Sequence, residues 1–155
     1  MTESVETIRK QLRERQLERI HGMDCGREMD ALIAQYIMGY QLIPMMDEDG
    51  RIEDYGYRRS ASFTQRSTED QLERVPNYST VSYAAFQLLE RFSHWQIDRQ
   101  PSGIIIQLAD GDSDMIQGAT MKLTHRYAGL PEAICKAALS AVVRQNRLIE
   151  PLLHD

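Results

Sequence analysis

The stretch from Gly129 to Arg147, GLPEAICKAALSAVVRQNR, places the tightest limit on the fold. Pro131 stands where a helix tolerates proline best, at the first helical position, whose N–H has no intrahelical acceptor. Glu132 follows in the first turn, where a carboxylate meets the positive end of the helix dipole. Ile134, Ala137, Ala138, Ala141 and Val142 then recur at helical spacing as an apolar stripe. The alanines let the helix axis lie close to whatever covers it. Lys136, Arg144 and Arg147 fall on or beside the opposite face. This pattern predicts a helix that closes over a sheet as the last layer of a domain.

With 155 residues, 42% hydrophobic and 26% charged, the chain suits one globular domain with a real core. No apolar run reaches the length of a membrane span. The opening MTESVETIRKQLRERQ is charged and lacks the apolar stretch of a signal peptide, so the expected location is the cytoplasm. Cys25 and Cys135 form neither a metal framework nor a disulfide pattern, and Cys135 reads as a small core residue. A net charge of −5 argues against a general nucleic-acid binder. Even so, 15 of the 18 basic residues are arginine, whose planar fork suits phosphate and carboxylate.

Residues 3–20 read as a charged amphipathic helix with Val5, Ile8, Leu12, Leu17 and Ile20 on an irregular stripe. It would dock on the body or on a neighbouring subunit. The expected organisation is therefore an N-terminal helix over 1–22 and a sandwich domain over 23–155. His21-Gly22 would end the first helix. A second helix is expected over 26–38, burying Met29, Leu32, Ile33, Tyr36 and Ile37 and capped by Gly39. Residues 44–77 are polar and without sustained period, an irregular insertion with at most a short strand near 58–64. A third helix follows Asn77-Tyr78-Ser79-Thr80, with Ser79 or Thr80 as its cap and Val81, Ala84, Ala85, Leu88, Leu89 and Phe92 as its apolar face. Strands are expected at 94–98, 103–109 and 115–127, broken by RQPSG and DGDSD, and such short breaks favour antiparallel hairpins. The fold class is α+β: a three-layer α/β/α sandwich with a small antiparallel sheet covered by helices.

Three stretches, GREMDALIAQYIMGY, NYSTVSYAAFQLLERF and GLPEAICKAALSAV, in that order, resemble the phage ABA sandwich domain, a family of bacteriophages and prophages named for its helix, sheet and helix layers. The resemblance covers most of residues 26–143. It departs at Tyr40 and Phe86, where the family tends to have Trp, and at Val81, where it tends to have an acid. It implies the layered fold and a phage origin, hence a host-cell cytoplasm, and no particular chemistry.

Catalytic signatures are absent from the sequence. DGDSD begins like a calcium loop but has Met115 and Met121 where that loop needs glycine and glutamate, so a turn is the better reading. His21, His94, His125 and His154 have no metal-ligand spacing. There is no GxSxG, no P-loop and no GxGxxG. Neither a cofactor nor a metal is expected. Tyr55, Tyr57, Arg58, Arg59 and Arg66 interleave rings with guanidiniums, which suits a nucleotide ligand and equally an exposed loop or edge strand. Tyr78, Ser79 and Thr80 would offer a helix start to an anion, and Trp95 and Arg126 lie on expected strands that could line a pocket.

The expected function is non-catalytic binding of a small ligand, in its most concrete form a sponge for a nucleotide-derived antiphage immune signal, such as a cyclic oligonucleotide or a cyclic ADP-ribose isomer. The alternative is a homo-oligomeric, partner-binding assembly module that uses the N-terminal helix. A weaker one is an enzyme that degrades such a signal.

Overall fold

Four elements converge on one helix. In the computed structural model, which describes residues 4–57, 72–101, 103–109, 129–145 and 147–153, helix α4 (Leu130–Arg144) buries twelve of its fifteen residues. Around it lie helices α1 (Val5–Gly22), α2 (Arg27–Tyr36) and α3 (Ser82–Leu89), with strand β5 (Gly103–Ala109). Pro131 starts α4 as the sequence indicates. Its role differs, because α4 is the axis of the core rather than an outer cover. Ala133, Ala137, Ala138 and Ala141 are all fully buried, and their small size is what lets neighbours approach from several directions. Lys136, expected on an outer face, is buried as well. Its ammonium binds Glu132 at 2.7 Å and the His21 carbonyl at 2.8 Å, closing the C-terminal end of α1 with a cation.

The fold is α+β. Among the described residues its strands form two small antiparallel sheets, rather than the single one expected. β1 (Leu42–Met46), β2 (Ile52–Tyr57) and β3 (Glu73–Arg74) make the first, in that order. They take in residues 44–46, 52–57 and 73–74 of the stretch read as irregular. Pro44 is tolerated because β1 is an edge strand of this sheet. The β1–β2 turn is built by Asp47, whose carboxylate accepts the Asp49 and Arg51 N–H groups at 2.9 Å each, and by Gly50 at φ 76°. β4 (His94–Gln100) pairs with β5 in the second sheet, in the register Ile97↔Ile106, and β5 turns Ile104, Ile106 and Leu108 into the core. The expected strands near 58–64 and 115–127 and the DGDSD turn lie outside the described residues.

Helix α1 ends at Gly22, within the His21-Gly22 pair, and its second half belongs to the core. Ile20 is fully buried, and Gln16 exchanges two 3.1 Å hydrogen bonds with the backbone of Ile149. A 3-10 turn (Glu150–Leu153) completes this contact, its Leu152 carbonyl accepting from Arg19. Helix α2 ends as its sequence suggests: Gly39 at φ 73° lets the Tyr40 N–H reach back to the Ala34 carbonyl at 2.9 Å.

Candidate functional site

The candidate site is a groove between the end of α2 and the outer face of α3. The apolar spacing that buries Ala84, Ala85, Leu88 and Leu89 leaves Tyr83 and Phe86 on the other side of α3, 78% and 41% exposed. Across from them stand Met38 and Tyr40, and Gln87, Glu90 and Arg91 complete a groove of about 640 Å³. Its walls thus combine aromatic faces with one carboxylate, one amide and one guanidinium.

Tyrosines brace the floor. The ring of Tyr40 stacks on Tyr57 with centroids 4.1 Å apart and planes within 3°, worth about 0.5–1.5 kcal/mol beyond area burial. The Tyr57 hydroxyl donates to Glu73 on β3 at 2.9 Å. Tyr78 is buried beneath this pair. Burial, then the neighbouring Tyr40 and Tyr57 hydroxyls, pushes its phenol well above the ordinary value, and Arg91 opposes the shift. Tyr78 therefore stays neutral and serves as a fixed support.

Behind the floor a polar knot holds α2, β2, β3 and the segment before α3 in register. Arg27 gives Asp54 two bonds, from Nε at 3.0 Å and Nη2 at 2.8 Å. Its Nη1 reaches Asp30 at 3.1 Å and Asn77 at 2.8 Å. Arg74 closes on the other oxygen of Asp54. Burial alone would raise the Asp54 pKa, but the Tyr55 N–H and the two guanidiniums outweigh it, and the carboxyl lies below its ordinary range. Asp30 also accepts both the N–H and the hydroxyl of Ser79 at 2.7 Å. The Ser79 hydroxyl in turn accepts the Gly26 N–H at 3.0 Å, just ahead of α2. Two acids and two arginines balance, and their donors and acceptors are turned inward on one another. The knot is a clamp for the groove rather than a second pocket.

These positions revise several sequence expectations. Tyr57 is occupied by Tyr40 and offers no free face, and Tyr55 is half-buried. Neither Ser79 nor Thr80 caps α3, whose N-cap is Val81 without a side-chain bond. Because the Ser79 N–H is already given to Asp30, the Tyr78-Ser79-Thr80 turn is not an open anion cradle. Thr80 is exposed, and Trp95 on β4 is 44% exposed and not among the residues lining the groove. Arg58, Arg59, Arg66 and Arg126 lie outside the described residues. Sequence reasoning missed Tyr83, Phe86 and Arg91. The signal was available: two aromatics three apart that fall off the apolar stripe of a helix have no core to enter.

Among the described residues, no group of three or more His, Cys, Asp or Glu side chains is placed to hold a metal ion. None of their helices is long and apolar enough to cross a membrane. No family model matches the chain, and no curated protein matches it. Among solved structures it is similar to a phage protein from Bacillus cereus ATCC 14579, known from a 2.0 Å crystal structure. That chain is 21% identical, with 77% of this chain and 93% of the other covered and a TM-score of 0.46.

Proposed function

We propose that this is a non-catalytic ligand-binding protein of phage origin, and most concretely a sponge that sequesters a nucleotide-derived signal of antiphage immunity. The observation that carries the ligand reading is the groove on α3, where Tyr83 and Phe86 lie exposed near Tyr40 with Arg91 alongside. Exposed rings supply stacking surface for a planar base, worth about 1–3 kcal/mol per base, and a guanidinium supplies a fork for phosphate. The phage origin rests on the resemblance of three stretches to the ABA sandwich domain. Absence of catalytic motifs from the sequence favours retention over turnover.

Native mass spectrometry of the protein with cyclic dinucleotides, cyclic trinucleotides and cyclic ADP-ribose isomers tests this. The expected result is a stoichiometric adduct, released intact on heating and lost in the Tyr83→Ala, Arg91→Ala double variant. Altered products on release would replace the sponge with an enzyme. No adduct with any ligand would remove the ligand reading.

A second reading, a homo-oligomeric partner-binding module, is favoured by a different observation. Val5 of α1 is 64% exposed, on the same side of the helix as buried Gln16 and Ile20. The stripe that docks α1 continues past the body with nothing over it among the described residues.

A further inference from the structure

A second groove, of about 790 Å³, runs along the first half of α1, lined by Glu6, Arg9, Lys10, Arg13 and Leu148. Exposed Val5 lies one turn before Arg9 on this side of the helix, so the face joins apolar surface to an excess of positive charge. Among the described residues, another surface has the opposite character. The β1–β2 hairpin exposes Met45, Met46 and Ile52, at 37%, 60% and 51%, beside the acids Glu48, Asp49 and Glu53. Its turn is already fixed by the Asp47 bonds and Gly50, so little conformational freedom would be lost on docking. Within one chain the two surfaces are both exposed to solvent, and α1 and the hairpin do not rank among the elements packed together.

We propose that copies of this chain associate by seating the β1–β2 tip of one in the α1 groove of the next. Methionine and isoleucine side chains would cover Val5 and Leu148, while Glu48 and Asp49 meet Arg9 and Lys10. Apolar contact supplies the attraction, and the charges select the register and speed encounter. A reciprocal exchange gives a two-fold dimer with two identical contacts, and a one-way exchange gives a ring or a filament. This rests on the partner-binding reading and takes the partner to be the chain itself.

Sedimentation equilibrium of the full chain in about 0.1 M salt, where the Debye length is about 10 Å, tests it. Three variants are compared with the parent: Arg9→Glu with Lys10→Glu, Glu48→Lys with Asp49→Lys, and all four together. The parent is expected to associate, each reversed pair to weaken association by at least about tenfold, and the fourfold variant to recover it. All four positions are on the surface, and circular dichroism checks that each variant folds. A parent that stays monomeric overturns both the contact and self-association. An oligomer unchanged in every variant, or one not recovered in the fourfold variant, overturns this contact and leaves self-association standing. In a Cys25→Ser background, Val5→Cys with Met46→Cys should form disulfide-linked oligomers on oxidation. Association without that cross-link also overturns the contact.

Discussion

At the scale of single residues, the surroundings of the reactive atom set the chemistry, and a residue exposed as a whole can still hold a shielded group. Cys25 is exposed, yet its thiol is pushed up to about 11, first by partial burial and then by the Glu132 carboxylate, with Lys136 opposing. The thiolate is the nucleophile, and only a fraction on the order of 10⁻³ of the thiol is in that form at pH 8. Alkylation by iodoacetamide should therefore be slow for so accessible a thiol, and Glu132→Gln should speed it severalfold. Equal rates in parent and variant would remove Glu132 as a cause. Ser79 shows the same dependence on partners. Ser79→Ala deprives Asp30 of one donor and the Gly26 N–H of its acceptor, both in part-buried or buried surroundings. The expected loss is about 1–3 kcal/mol in urea unfolding, where a solvent-exposed cap would cost less.

At the scale of elements, α4 decides the packing and shows one defect. The Ser140 hydroxyl is buried and has no hydrogen-bond partner among the described residues. Ser140→Ala removes an unsatisfied group and favours the helix, so the variant should be more stable by about 1 kcal/mol, read as a rise in thermal midpoint. No change, or a loss, would mean that the hydroxyl has a partner in solution. This element was legible in the sequence because proline, glutamate and alanine each state a local rule. What they could not state was that α4 would be surrounded, since a stripe reports one covered face and burial on all sides depends on four other elements. The β1–β2 hairpin was hidden for the opposite reason. Met45, Met46 and Ile52 face solvent, so period-two burial is missing, and only the DEDG turn announced it. Of the candidate groove, sequence reasoning placed α3 but looked for the ligand on residues that include Tyr57 and Ser79. Both lie inward, because a ring–ring stack and a buried carboxylate hold them there.

At the scale of the whole molecule, the clamp behind the groove couples stability to pH. The Asp54 carboxyl lies below its ordinary value of 3.8 in the folded chain, so its contribution is fully present above that value and is lost as pH falls through the folded one. His21 is also lowered, from 6.5, by burial and then by Lys136 and Arg144. The unfolded chain therefore takes up that proton first, and folding weakens as pH drops below 6.5. Both groups give the unfolded state more bound protons, so they act in the same direction. Unfolding free energy from urea titrations should be level near pH 7, decline gently below 6.5 and fall more steeply below about 4. Asp54→Asn should lower stability at pH 7 by about 1–3 kcal/mol, most of it from the Arg27 pair, because the Arg74 side chain is 71% exposed and its pair is screened. The gap between parent and Asp54→Asn should then narrow as the carboxylate is protonated. Other acids titrate in both proteins and cancel in that difference. A gap that stays constant from pH 7 to pH 3 would mean that Asp54 holds α2 and β2 by its shape and not by its charge.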